Sequence, residues 1–107
     1  MSEAEDQERV ARELAEELRR LRIEDVLIQT LITVSSLGYR RLGLTEETKD
    51  ERDLQQAKLA IETMRALTPV LEATIPADLV RDFNQSVASM QLAYAEAAAA
   101  EEADGEG

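Results

Sequence analysis

Two stretches of this sequence carry the same apolar rhythm, and that repetition limits the fold more than any other feature. Leu54, Ala57, Ile61, Met64, Thr68 and Leu71 step by three, four, three, four and three, and Val80, Phe83, Val87, Met90, Tyr94 and Ala97 do the same. Alternating steps of three and four keep one side of a helix apolar, as in the seam of a coiled coil. Two matching seams in one short chain predict helices packed at shallow angles, most simply as an antiparallel hairpin.

A third element precedes them. Between Asp25 and Leu42, the residues Val26, Leu27, Ile28, Leu31, Ile32, Val34 and Leu37 cover more than half the circumference of a helix, so this element reads as central and most buried. Gly43 is placed to end it as a left-handed C′ residue, and Ser35 with Gly38 one turn on leaves room for another helix to come close. Residues 2–22 form a fourth pattern. Ser2 with Glu5 resembles a capping box, Glu3, Glu5 and Asp6 suit the positive end of a helix, and Val10, Leu14, Leu18 and Leu21 make one narrow apolar stripe. Glu8–Arg12 and Glu16–Arg20 are spaced for surface pairing. Nothing between Arg22 and Asp25 forces a break, and the sequence leaves open whether the first two helices are continuous.

Thr48 with Glu51 offers a second capping box before the first seam. Pro69 either ends that helix near Leu67 or kinks it, and Pro76 suits the start of the last one. The expected fold is all-α, a small bundle of three to four helices with an antiparallel helical hairpin, completed by oligomerisation. It divides into a charged amphipathic helix at 1–22, a helical core at 23–95 and an acidic tail at 96–107, frayed from about Ala98 and disordered beyond. The tail holds Glu96, Glu101, Glu102, Asp104 and Glu106 without a base, nearly half of the net charge of −11 carried by all 107 residues.

Composition narrows the chemistry. The chain has no His, Cys or Trp, which removes disulfides, thiolate and imidazole ligands, and Ser-His or Cys-His nucleophilic pairs. An all-carboxylate metal site would have to come from Glu13, Glu16 and Glu17 or from Glu46, Glu47, Asp50 and Glu51, and both sets are interleaved with bases as on a solvated face. Neither seam holds an Asp or Glu, so a buried acid with a raised pKa has no candidate. Catalytic residues, cofactors and metal ligands are therefore all read as none. Net acidity disfavours nucleic acid and anionic membrane as partners. Arg19, Arg20 and Arg22 are read as pairing with neighbouring acids. The N-terminus lacks the basic and apolar regions of a signal peptide, and the longest uncharged run, Val26–Tyr39, is shorter than the ~18 residues that would point to a membrane span. The setting read from this is cytoplasmic.

The string Leu31-Ile-Thr-Val-Ser-Ser-Leu-Gly-Tyr-Arg-Arg-Leu-Gly43, followed by Asp53-Leu-Gln-Gln-Ala-Lys-Leu-Ala-Ile-Glu-Thr-Met64, resembles a small bacterial family, the domain-of-unknown-function family eighteen-forty-four. The similarity spans about residues 25–95, closing near Tyr94. It implies a short all-helical bacterial protein with no assigned activity, and it carries no catalytic residue onto this chain. The amphipathic helix at 2–22 and the acidic tail depart from the family pattern.

The function expected from these readings is a non-enzymatic helical interaction module that self-associates, because a chain this small hardly encloses a helix apolar nearly all round. The candidate interface residues are Val10, Leu14, Leu18, Leu21, Ser35 and Gly38, with a homo-oligomer as the expected partner and another protein as the alternative. A second reading is a carrier or sensor of small apolar ligands, with a pocket lined by Ile28, Ile32, Phe83 and Met90.

Overall fold

The computed structural model describes residues 2–106. Among the described residues there are four α-helices and one short 3-10 turn, with no strand. They are α1 (Glu3–Arg20), α2 (Ile23–Leu42), the 3-10 turn at Lys49–Glu51, α3 (Leu54–Leu71) and α4 (Ala77–Glu106). This is an all-α fold. The core lies where α2, α3 and α4 meet, each of the three packing against the other two.

The two seams build that core. Ala57, Ile61, Met64, Thr68 and Leu71 of α3 are buried, with Leu54 half-buried, and they face Phe83, Val87, Met90 and Ala97 of α4. Leu31, Leu42, Met64 and Met90 are fully enclosed. Burial of such side chains contributes about 1.5–3 kcal/mol each, and most of the stability of this body therefore comes from a few aliphatic contacts. α3 runs through Pro69 to Leu71, so the helix continues past the proline rather than ending at Leu67. The missing amide costs little two residues from the end, where Arg65 is exposed and its carbonyl can meet water. Pro76 precedes α4, and its carbonyl accepts from the amide of Val80 as an N-cap residue does.

The helix ends show why the chain turns where it does. Ser2 accepts a hydrogen bond from the Glu5 amide at 3.2 Å and caps α1 as its sequence predicts. Gly43 closes α2 at φ 63° and ψ 42°, the left-handed conformation that glycine adopts without steric cost. Behind it, the Arg52 guanidinium donates from Nε to the Leu42 carbonyl at 2.8 Å, and the Asp53 amide donates to the Arg41 carbonyl at 2.8 Å. These bonds satisfy carbonyls that the end of α2 leaves without partners. The cap of α3 is Asp53, whose carboxylate accepts from the Gln56 amide. The expected capping box at Thr48 and Glu51 does not form. Thr48 instead exchanges hydrogen bonds with Thr45 across the loop, and Glu51 turns to Arg40 at 2.7 Å.

One question that the sequence leaves open is answered by the structure, and one further expectation differs from it. α1 and α2 are separate helices, because Leu21 and Arg22 are both extended, with ψ of 136° and 151°. The most buried helix is α3 rather than α2, on which only Leu31, Gly38 and Leu42 are buried. α4 is helical from Ala77 through Glu106. Ala and Glu sustain backbone hydrogen bonds there, although residues 99–105 are exposed and Ala97 is the last buried anchor.

Candidate interaction surface

α1 has no buried residue, and among the described residues it packs against no other element. Its apolar stripe is consequently open to solvent, with Leu14 at 55% and Leu18 at 61% of full exposure and Val10 and Leu21 similar. An apolar stripe on an otherwise charged helix gains nothing from standing in water; it is the shape of a surface that packs on something. The molecule extends 66 Å along its longest axis, beyond the roughly 45 Å that the 30 residues of α4 span at 1.5 Å per residue.

A second open face lies on α2. Ile23, Val26, Thr30, Thr33 and Leu37 step by three, four, three and four, the same rhythm as the core seams, yet all five are exposed. Thr30 spends its hydroxyl on the Val26 carbonyl at 2.8 Å, so its polar atom is satisfied within the helix. Part of this face borders a broad cleft of about 520 Å³ that runs from Leu21 past Val26 and Thr30 to Val34. Next to it, Leu37 and Val34 meet Leu59 of α3 around a smaller cleft of about 230 Å³. The rhythm was present in the sequence, but it was masked there because α2 read as apolar on nearly every side.

Of the six residues singled out from sequence, Val10, Leu14 and Leu18 lie on the open stripe of α1, and Leu21, also exposed, is the extended residue that follows it at the mouth of the α2 cleft. Ser35 and Gly38 do not join them. Ser35 is half-buried, and Gly38 is buried inside the chain's own core, where a Cβ would meet Ala60 Cβ at 2.9 Å and Met90 Sδ at 3.0 Å. Gly38 thus permits a close helix approach as expected, but the helices that approach are α3 and α4 of the same chain. The four residues proposed to line a ligand pocket also separate. Phe83 and Met90 pack in the core and Ile28 lies against it, whereas Ile32 is exposed.

The charges around these faces are ordered along the chain. α1 begins with Glu3, Glu5, Asp6 and Glu8 and ends with Arg19 and Arg20, followed by Arg22. α2 begins with Glu24 and Asp25 and ends with Arg40 and Arg41. Both helices therefore complement their own macrodipoles. The Glu24 carboxyl is held below its ordinary pKa, chiefly by a hydrogen bond from its own backbone amide, against a smaller opposing desolvation and with help from Arg22, whose Nε lies 3.4 Å away. Asp6 and Arg9 pair at 3.4 Å, whereas Glu8–Arg12 and Glu16–Arg20 do not close to ion-pair distance.

Among the described residues no group of three or more carboxylates is placed to hold a metal ion, and no helix is long and apolar enough to cross a membrane. No protein-family model, curated protein or solved structure matches this chain. Its own residues carry the functional reading.

Proposed function

We propose that this chain is a non-enzymatic helical module that acts by protein–protein interaction, and that it associates with itself. The observation that carries this reading is α1, an amphipathic helix of 18 residues with no buried residue. Isolated helices of that length are marginal in water and gain most of their stability from packing an apolar face. The open face of α2 adds a second apolar surface of matching period. Neither surface converges titratable groups on a concave site, which favours binding over catalysis. The setting in this reading is cytoplasmic, a reducing compartment that the cysteine-free composition fits.

Light scattering across a dilution series tests the reading. A molecular mass that falls toward that of one 11.9 kDa chain on dilution from millimolar to submicromolar concentration is expected. A well-folded monomer at every concentration overturns it.

A further inference from the structure

Resting on that reading, we infer that the occupant of the open α2 face is α1 of a second copy, laid antiparallel along it, with the exchange made reciprocally about a two-fold axis. Three observations lead there. The stripes match in length, since the 18 residues of α1 span roughly 27 Å and the 20 of α2 roughly 30 Å. They also match in kind, because Val10, Leu14, Leu18 and Leu21 supply large aliphatic knobs while Thr30 and Thr33 leave shallow room between Val26 and Leu37.

Charge order sets the direction. Laid antiparallel, the acidic start of α1 (Glu3, Glu5, Asp6 and Glu8) comes beside the basic end of α2 (Arg40 and Arg41). The basic end of α1 (Arg19 and Arg20) comes beside Glu24 and Asp25. A parallel arrangement brings acid against acid and base against base, which is penalised across an interface. Arg40 already pairs with Glu51, but its guanidinium remains half exposed and has further donors to offer.

The chain's own arm does not take this place. Leu21 and Arg22 are extended, and α1 touches no other element, so the face stays open within one copy. A two-fold exchange fills both faces with the same contact used twice, the self-complementary geometry common to dimers. The place of the break now has a purpose in the assembly: two extended residues set α1 free of its own α2 while keeping it near the axis.

The absence of native cysteine makes the test direct. Leu18 lies near the end of α1 and therefore meets opposite ends of α2 in the two directions, Val26 when antiparallel and the neighbourhood of Leu37 when parallel. Full-length chains carrying Leu18→Cys are mixed with chains carrying Val26→Cys or Leu37→Cys, allowed to exchange subunits and oxidised. A link in such a mixture joins two chains by construction. The expected result is at least a fivefold excess of mixed disulfide over self-linked product with Val26→Cys and no excess with Leu37→Cys. Preferential Leu18–Leu37 linkage means parallel docking and overturns the inference. Dominant self-linkage of Val10→Cys or Leu14→Cys means arm-on-arm pairing and also overturns it. Closure of the double variant Val10→Cys with Leu37→Cys within a monomer means that the arm folds back on its own chain, a third overturning result. Light scattering on the unsubstituted protein separates the two proposals: a monomer removes self-association itself, whereas a dimer with the wrong linkage removes only the arm exchange.

Discussion

Gly38 on α2 and Ala60 on α3 approach so closely that a Cβ built on the glycine would lie 2.9 Å from the alanine Cβ. Met90 of α4 closes the same spot, its sulfur 3.0 Å from that position. Three helices meet here because one residue has no side chain. Gly38→Ala gains about 1 kcal/mol in helix propensity, but overpacking a tight core costs about 1–3 kcal/mol, and the rigid Ala60 Cβ cannot swing aside. The net expectation is a loss of about 1 kcal/mol, or a melting temperature lower by roughly 4–8 °C at this chain length. Gly38→Val, larger and a poorer helix former, should lose more. Thermal melts of the two variants check the order.

Thr68 presents the opposite situation. It is buried in the α3 seam, and its hydroxyl oxygen has no hydrogen-bond partner. Leaving such a group unsatisfied costs about 1–3 kcal/mol, and valine fills nearly the same space without it. Thr68→Val is expected to stabilise the protein by about 1 kcal/mol, read as a higher urea midpoint at unchanged slope. An unchanged or lower midpoint would show that the hydroxyl is satisfied in solution.

These two sites also show what the sequence made legible. The positions of Thr68 and its neighbours in a buried seam follow from spacing, which is a local property that survives any arrangement of the other helices. The close approach at Gly38 followed from residue size, but its partner did not, because size says that something fits and not what. The break at Leu21 and Arg22 carried no glycine or proline, and it becomes visible only when α1 and α2 are seen to face different surroundings. The cap of α3 was written locally, since Asp53 with Gln56 three residues on is itself a capping pattern; Thr48 with Glu51 offers the same pattern, and the choice between them shows only where Arg52 reaches back to the Leu42 carbonyl at the end of α2. On the interaction surface, the α1 stripe was legible for the same local reason as the seams. The open face of α2 was missed because Ile23, Val26 and Leu37 are as apolar as the residues turned inward, so no polar stripe marked the exposed side.

Arg52 itself is expected to matter more than an exposed arginine normally does. Its Nε donates to the Leu42 carbonyl, and its side chain packs on the left-handed Gly43, where an added Cβ would meet Arg52 Cβ at 2.8 Å. Arg52→Ala removes a hydrogen bond from a charged donor and should cost about 1–2 kcal/mol. Gly43→Ala forces a left-handed alanine, at about 1–2 kcal/mol before the contact with Arg52 is counted. Because both changes strike one junction, the double variant should lose less than the sum of the two. Denaturation of the two single variants and the double variant measures that shortfall.

Glu24 supplies a pH dependence whose sign is fixed. Its folded-state pKa is lowered, so its contribution to the start of α2 is present above the ordinary carboxylate range and is lost as pH falls through the lowered value. The carboxyl resonance of Glu24 should titrate below the ordinary glutamate range. Arg22→Gln should move it back toward that range only in part, because the larger cause is the backbone hydrogen bond. A full return to the ordinary value would make Arg22 the main cause instead.

Leu14→Asp combined with Leu18→Asp tests whether α1 belongs to the assembly or to the fold. Each change places a carboxylate on a stripe that is exposed in the single chain, so it has no core contact to break. In an interface the same carboxylates must be desolvated without a paired base, at a cost of several kcal/mol. Association should therefore weaken at least a hundredfold by light scattering. The α2–α4 body should keep its helical circular dichroism and its cooperative melt at concentrations where the unsubstituted protein is also dissociated. If the entire protein loses helix, α1 is a structural part of the body. If association survives intact, the copies meet through a surface other than the α1 stripe. The discriminating comparison is made at equal states of assembly, since a dimer is stabilised by its own concentration and a monomeric variant is not.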